Sequence, residues 1–456
     1  MRRCRKVVAP IRIMSIAMAR QLPMLLLLQI FDLASGAYST LSTYAPGAFV
    51  IRRQIGQLGF ATEIEWQYNR DGTPVKPNPL DPLQPKRTIE ASGISVRLFD
   101  ARLDDGTRVL LKEFIGDACS IGENECATHE VLYQRALAAA SGTMLPAQPP
   151  PQIGRLLGLM RADSTFASES FVADWEMALP NIAPPSPTGL WLVFAWENLM
   201  TVSNFPQQPQ ERAMFDFDGR AAARERSAFV KTVALRCLET VDWLHGQGIA
   251  HRSLGGSSLL LNTYDQRTLP GSVGIKAIDL GFAATAARIS PEEVAAAIKR
   301  GASGPLDVIP FLCRADDLHA LAYVLLELLL QTATPASPPP PAGLASFLSK
   351  SDVFSAASAD EVGGGVRQAA EDRPPPPSDL QSLKRLVEDV FKGDVCGEFR
   401  QYCAEEPAWA SAVAILDESD RAGWRVIQEL VECRDASSAA AENVSARRLL
   451  ESAWFA

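Results

Sequence analysis

Three charged residues, far apart in this sequence, are of the types that hold a nucleotide for phosphoryl transfer. Lys112 ends the alternating stretch "DGTRVLLKEF", Glu130 lies in the helical pattern "NECATHEVLYQRALAAA", and Asp279 begins an Asp-Leu-Gly triplet. A lysine that a glutamate holds against the phosphates, and an aspartate that binds Mg²⁺, are parts of that chemistry. Glu125 lies in the same helical stretch, and the spacing does not decide whether Glu125 or Glu130 is the partner of Lys112.

Several stretches, taken in chain order, resemble motifs of the eukaryotic protein kinase-like superfamily over residues 87–456. "DARLDDGTRVLLKEF" resembles the third strand of that fold, "WLVFAWE" its fifth strand and hinge, "IAHRSLGGSSLLLN" its catalytic loop, and "RADDLHALAYVLLELLL" its F-helix. The resemblance implies a bilobal α+β fold, with a small β-rich N-lobe containing one helix and a large helical C-lobe. The order of the patterns, with strands first and helices from about residue 226, also predicts an α+β protein.

The resemblance implies roles for individual residues. Phe194 would limit the adenine pocket, and Glu197 would lie beside it at the hinge. Asp317 would be the buried aspartate that braces the catalytic loop. His251 is expected to be a core residue rather than a catalyst. Arg252 is expected to be structural or solvated unless a phosphorylated Thr285, Ser290 or Ser303 engages it.

The catalytic loop departs from the family pattern at the positions that carry its chemistry. Ser253 stands in place of the catalytic aspartate, Gly255 in place of a lysine, and Ser258 in place of the asparagine that holds a second metal. A serine hydroxyl is neutral near pH 7 and cannot replace a base that contributes roughly 10²–10⁴-fold to the rate. No catalytic residue set is therefore intact.

The glycine-rich loop is also depleted. Ala91, Gly93 and Val96 occupy the positions of its three glycines, so Gly93 alone remains to let the backbone approach phosphates closely. Further along, an APE motif is missing and Asn443 replaces the arginine that would pair with its glutamate. Loss of both partners avoids the cost of one unpaired buried charge.

Within the superfamily, the chain therefore resembles pseudokinases, and it is similar to plastid kinase-like proteins of plants and algae. The first hypothesis is a regulatory or binding module that holds ATP weakly through Lys112, with one Mg²⁺ on Asp279. The second is a slow Ser/Thr kinase, because the transition state depends more on positioning and charge neutralisation than on a base. The third is a scaffold that binds no nucleotide.

The segment after the Asp-Leu-Gly triplet predicts a helix. In "ISPEEVAAAIKRG", Ser290 is suited to the N-cap, Pro291 to the first helical position, and Glu293 to closing a capping box. A helix here would lie inside the activation segment, which an active kinase usually keeps extended.

Composition limits the classes of partner. The chain has 456 residues and a formal net charge of -9, although residues 1–37 carry six basic groups and one acid. An acidic remainder argues against nucleic acid and favours a protein partner or protein substrate. The eight cysteines show no CxxC spacing, so neither a zinc site nor a disulfide framework is predicted.

Composition also divides the chain. Residues 1–37 are predicted to be a targeting segment, residues 38–86 an N-terminal extension and linker, and residues 87–456 the kinase-like domain with a disordered Pro/Ala/Ser/Gly-rich insertion at 332–379. The basic leader favours an organelle, with the plastid first, and a secretory signal is the alternative. Its apolar run is shorter than the roughly 20 residues that cross a bilayer, so no transmembrane helix is expected.

Overall fold

The computed structural model describes residues 41–59, 94–140, 149–180, 182–205, 220–333, 380–434 and 444–456. The predicted targeting segment lies outside the described residues, as do 334–379 of the predicted insertion. The predicted α+β class is confirmed. A β-rich N-terminal part precedes a helical C-terminal part, and this arrangement is consistent with a bilobal kinase-like fold.

The N-terminal part is built on a six-stranded sheet with the order β1-β5-β6-β4-β3-β2. The strands are β1 (Ser42–Thr43), β2 (Phe49–Gly59), β3 (Ile94–Leu103), β4 (Arg108–Gly116), β5 (Leu156–Arg161) and β6 (Leu190–Ala195). The predicted turn at Asp105-Gly106 is confirmed: Gly106 has a φ of 83° and joins β3 to β4 in an antiparallel hairpin. Glycine suits this position because other residues resist a positive φ.

Both faces of the sheet are covered, which explains the long apolar runs in its central strands. On one face, Phe99, Leu111 and Trp191 pack with Trp175 of helix α2 (Glu169–Ala178). On the other face, Val96, Phe114 and Leu192 belong to a core shared with helix α1 (Ala118–Ala140) and the helical part. Alternate residues of one strand therefore serve two cores.

The sheet begins ahead of the predicted domain start near Arg87. Strand β2 lies in the range predicted as N-terminal extension and linker, and it pairs antiparallel with β3 from Phe49↔Leu103 to Gly59↔Ser95. It is the outermost strand of the sheet, and its arginines and exposed Val50 are compatible with an edge position. The proline-rich residues 71–87, on which the linker prediction rested, lie outside the described residues, so that prediction stays a prediction. Residues 60–93, between the two paired strands, lie outside the described residues.

The C-terminal part is mainly helical. Its helices are α3 (Arg220–Gly246), α4 (Pro291–Arg300), α5 (Val308–Leu312), α6 (His319–Ala333), α7 (Leu380–Arg385), α8 (Arg400–Glu405), α9 (Ala410–Glu432) and α10 (Ala446–Leu449), with π-helical turns at Cys313–Leu318, Leu386–Val390 and Val395–Phe399. Five short strands lie among them: β7 (Met200–Thr201), β8 (Ile249–Ala250), β9 (Leu259–Leu261), β10 (Ile275–Ala277) and β11 (Ala284–Thr285). Helix α6 is apolar on all sides and buried between α3 and α9.

The short strands hold two loops. Strand β9 pairs with β7 and β10, and β8 pairs with β11, so the loop between β8 and β9 lies beside the segment that follows β10. Among the described residues, no helix combines the length and apolar character needed to cross a membrane.

The place of residues 42–43 in the sheet can be tested at Gly158. A β-carbon at Gly158 would lie 2.0 Å from the Ser42 carbonyl oxygen. Gly158→Ala should therefore displace β1 and break its pairing with β5. We expect the free energy of unfolding to fall by about 1–3 kcal/mol, as overpacking usually causes. Chemical denaturation measures it, with Gly271→Ala as the control, because a β-carbon there meets nothing within 4 Å. Equal stabilities for the two variants would contradict the pairing.

Candidate functional site

Lys112 lies at the centre of the site. Strand β4 carries it between Leu98 of β3 and Leu192 of β6, so its backbone is fixed on both sides. Its Nζ donates hydrogen bonds to Glu125 Oε2 at 2.8 Å and to Asp279 Oδ1 at 2.6 Å. Burial alone would lower the pKa of the Lys112 ammonium, but the two carboxylates outweigh burial and raise that pKa above its usual value. The lysine is therefore charged.

The helical partner of Lys112 is Glu125, not Glu130. Glu125 is 1% exposed and lies on the face of α1 that meets the sheet. Glu130 comes five residues later, about 140° further round a helix of 3.6 residues per turn, and is partly exposed. Burial, assisted by the negative charge of Asp279, raises the pKa of Glu125 although Lys112 opposes both effects.

Asp279 reaches Lys112 from a backbone conformation that few non-glycine residues adopt. Its φ of 62° and ψ of 46° are left-handed, and the next three residues form a 3₁₀ turn, Leu280–Phe282. Helix α1 holds this turn: Asn124 Nδ2 donates to the carbonyl oxygens of Gly281 and Ala283, both at 2.9 Å. Strain of this kind persists where the surrounding contacts fix the backbone.

The loop between β8 and β9 is organised by Asp317. Its carboxylate accepts hydrogen bonds from the backbone N–H groups of His251 and Arg252, both at 2.7 Å, and His245 Nε2 lies 3.0 Å away. The ring of His251 is buried, and its Nε2 lies 2.8 Å from the Ile278 carbonyl oxygen. The loop is thereby joined to the residue before Asp279.

Ser253 and Ser258, two of the three serines in the loop, differ in exposure and in hydrogen bonding. Ser253 is exposed, and its backbone N–H donates to His251 Nδ1 at 3.3 Å. The Ser258 hydroxyl is buried and faces its own loop, since it donates to the Gly255 carbonyl oxygen at 2.9 Å and accepts from the Gly255 N–H at 2.8 Å. Ser258 therefore does not present its hydroxyl to a second metal ion.

The donor set fits one hard divalent cation beside a nucleotide. Asp279 keeps 32% of its side chain exposed, and carboxylate oxygens are ligands that Mg²⁺ accepts. Glu125 Oε1 is buried and has no hydrogen-bond partner among the described residues. Lys112, Asp279 and Glu125 thus form a charged group whose side-chain types suit phosphate and a metal ion.

At the hinge, Phe194 is 7% exposed and meets the ring of His129 edge-on, with centroids 5.6 Å apart. His129 is buried four residues after Glu125, and burial followed by the charge of Lys112 lowers its pKa to about 3, so the ring is neutral. The Glu197 carboxylate forms an ion pair with Lys276 of β10. This ion pair connects Glu197 to the helical part.

Gly93 lies outside the described residues, as does Ala91, and Val96 is buried in the sheet. The glycine-rich loop prediction therefore remains a prediction. Sequence reasoning missed the ion pair of Lys276 with Glu197 and the contacts of Asn124, which have no local sequence signal.

A predicted helix is confirmed in the segment after Asp279. Helix α4 begins after Ser290, and the predicted capping box with Glu293 is present, with Pro291 at the first helical position. Glu293 Oε2 accepts the hydrogen bond of the capping box, and Glu293 Oε1 accepts a hydrogen bond from Arg252 Nη1 at 2.5 Å. Arg252 thus has a structural partner, in agreement with the first of the two expectations for this residue.

A second set of donor atoms lies behind the loop. One donor atom each from His245, Cys313 and Asp317 lies within 4.8 Å of the others. The Asp317 carboxylate is already engaged by His245 and two backbone N–H groups, and burial raises the pKa of Cys313 well above its usual value. These contacts favour a hydrogen-bonded brace over a metal site.

No protein-family model matches this chain, and no curated protein matches it. Among solved structures, the chain is similar to a Stt7 homolog from Micromonas algae soaked with ATP, with 18% sequence identity and a TM-score of 0.44. The similarity covers 79% of this chain and 88% of that chain.

The contact of Glu293 with Arg252 gives a pH-dependent prediction. Burial would raise the pKa of Glu293, but the Ser290 N–H and the Arg252 guanidinium lower it below the usual 4.5. A lowered folded-state pKa stabilises the protein above the unfolded value, and this stabilisation is lost as pH falls through the folded-state pKa. Glu293→Gln should therefore lower the free energy of unfolding by about 0.5–1 kcal/mol at pH 7, and the loss should shrink below pH 4.5.

The exposed neighbour Glu292 provides the control, because Glu292→Gln changes the same helix turn without touching Arg252. Denaturation from pH 3 to pH 7 and hydrogen exchange of the amides of α4 measure the two variants. Equal losses for Glu292→Gln and Glu293→Gln would contradict a specific contact.

Proposed function

We propose that this chain is a kinase-like module that binds ATP weakly with one Mg²⁺, is catalytically impaired, and acts by regulating or binding a protein partner. The observation that carries the proposal is the joint presence of the Lys112–Glu125–Asp279 contact and an exposed Ser253 where a catalytic carboxylate would be needed. The first supports nucleotide binding, and the second opposes efficient transfer.

Support for binding comes from charge. Lys112 is a cation held by two carboxylates, which suits it to contact nucleotide phosphates, and Asp279 is placed to share a metal ion with them. A bound Mg²⁺ would supply neutralisation of phosphate charge. Phe194 and Glu197 lie on β6 and at its end, where the base would be expected.

Support for impaired catalysis comes from the loop. Removal of a positioned base costs roughly 10²–10⁴-fold in rate, and Ser253 remains neutral. Ser258 uses its hydroxyl within the loop, so a second metal ligand is not offered. Helix α4 also folds the activation segment, which a protein substrate would need extended.

A second candidate function is slow Ser/Thr phosphorylation, and the ordered loop favours it. His251 and Arg252 are held by Asp317, so the loop keeps its shape without its base. Because the transition state is stabilised chiefly by positioning and charge, such a loop supports weak transfer. The third candidate, a nucleotide-free scaffold, rests on the depleted glycine-rich loop.

The location and partner are also proposals. The basic leader supports delivery to an organelle, with the plastid favoured over the secretory pathway. The acidic remainder of the chain supports a protein partner over nucleic acid.

Nucleotide binding is tested by the melting temperature in ATP with and without Mg²⁺. A ligand stabilises the state that it binds, so saturation at 100 times Kd should add about 2.7 kcal/mol to the folded state. We expect a Mg²⁺-dependent rise that Asp279→Asn and Lys112→Met abolish, and that the control Glu130→Gln leaves intact. Lys112→Met could itself lower the melting temperature, so direct titration with a fluorescent ATP analogue measures its nucleotide affinity separately. No rise for the wild type would leave the scaffold candidate.

The missing base is tested by restoring it. Ser253→Asp should raise radiolabel transfer to a protein substrate or to the chain itself by about 10²-fold, because a carboxylate at this position can accept a hydroxyl proton. Ser257→Asp adds the same charge at an exposed position of the loop and serves as the control. If the two variants raise transfer equally, or if neither raises it, the missing base is not the main cause of impaired transfer.

A further inference from the structure

A cavity of about 320 Å³ opens in the helical part, away from Lys112, and its wall is unusually basic. Cationic side chains reach it from four separate segments: Arg252, Arg300, Lys384 and Arg434. Three of them are half-exposed, at 46% for Arg300, 43% for Lys384 and 55% for Arg434. This concentration contrasts with the net charge of -9 of the whole chain.

Carboxylates balance only part of this charge. Arg252 pairs with Glu293, Arg300 with Asp316, and both Lys384 and Arg434 face Glu388. Against four cations, these contacts supply three carboxylates, so the cavity retains one positive charge. His319 also lines it, but its Nδ1 lies 3.0 Å from the Val431 carbonyl oxygen and its Nε2 lies 2.8 Å from Glu388 Oε1, so neither ring nitrogen is directed at a ligand in the cavity.

The Glu388 carboxylate already has three other side-chain partners. Its Oε1 lies 2.8 Å from His319 Nε2 and accepts from the Tyr323 hydroxyl at 3.0 Å, and Arg434 Nη1 lies 3.2 Å from Oε2. Lys384 Nζ is left 3.9 Å from this carboxylate, which is beyond hydrogen-bond distance. Lys384 therefore lines the cavity without a hydrogen bond to Glu388, and its Nζ lies 5.6 Å from the centroid of the Tyr323 ring.

We propose that this cavity binds a phosphoryl group through Arg300, Lys384 and Arg434. An oxyanion with three terminal oxygens matches donors that arrive from three directions, and guanidinium groups bind phosphate by paired hydrogen bonds. Arg252 closes the inner wall and stays on Glu293. The group comes either from free phosphate or from a phosphorylated serine, and both present the same oxygens.

The proposed phosphate ligands differ from those of the nucleotide site. In the described part of the chain, the ion pairs of Arg300, Lys384 and Arg434 are made with Asp316 and Glu388. Partial exposure also means that added salt should weaken binding, because exposed charges are screened within about 8–10 Å at physiological ionic strength.

Isothermal titration of the full chain tests the proposal, with inorganic phosphate in one arm and a capped Ala-phosphoserine-Ala peptide in the other. The unphosphorylated peptide is the blank. We expect saturable binding in at least one arm, and at least a tenfold loss in the double variant Lys384→Gln/Arg434→Gln. Arg425→Gln is the matched control, since Arg425 is an exposed arginine of α9 that pairs with Asp420 outside the cavity.

The arms identify the source: tighter binding of the peptide indicates a phosphorylated protein segment, and tighter binding of inorganic phosphate indicates the free ion. Lys112→Met should leave both affinities unchanged. The proposal is overturned by wild-type protein that binds neither probe, by equal affinity in the double variant, or by loss of binding in Lys112→Met, which would locate the phosphate at the nucleotide site. Circular dichroism of the double variant verifies that it is folded.

Discussion

The contact of one buried lysine with two carboxylates is the constraint on which the rest of the site depends. Lys112 comes from the sheet, Glu125 from α1 and Asp279 from the helical part, so three separate elements meet at one ammonium group. Removal of one partner would leave an uncompensated buried charge at a cost of roughly 3–5 kcal/mol. The contact also brings α1 close to the turn after Asp279. A β-carbon at Gly281 would lie 2.3 Å from Ile121 Cγ2, so α1 packs directly on this turn.

Asp317 holds separate segments of the helical part together, just as Lys112 connects the sheet, α1 and the helical part. By accepting backbone hydrogen bonds from His251 and Arg252, it fixes the loop whatever residue stands at position 253. Arg252 then adopts a positive φ of 63° and reaches Glu293, which is also the capping residue of α4. The loop between β8 and β9 and the segment that contains α4 are thus held together by side chains other than Ser253.

Local signals in the sequence predicted local features well. Asp105-Gly106 and the Ser290–Glu293 capping box each act within a few residues, and both are present in the structure. The fold class followed from the order of patterns, because strands and helices differ in apolar period. Asp317 could be placed only because "RADDLHALAYVLLELLL" resembles a family motif, since no local pattern says what a buried aspartate binds.

Long-range pairing was not predictable in the same way. The partner of β2 lies beyond 34 intervening residues, and no local pattern indicates which strand an edge strand joins. The choice between Glu125 and Glu130 depended on the rotation of α1 about its axis, which sequence spacing leaves open when either residue could face the sheet. Arg252 was expected to be structural or solvated, but its partner Glu293 lies 41 residues away, and no local pattern identifies a contact at that separation.

The energetic character of the central contact bears on whether it braces the fold or binds a ligand. One cationic side chain, Lys112, faces two carboxyl groups, and two of the three side chains are almost fully buried. Desolvation makes such groups poor stabilisers, and apolar side chains of similar volume are often neutral or better by 1–4 kcal/mol. A cleft that only held two parts together would be served as well by leucine and methionine. A divalent cation on Asp279 would instead balance the second carboxylate and part of the charge of phosphates on Lys112, as the proposed binding of ATP with Mg²⁺ requires.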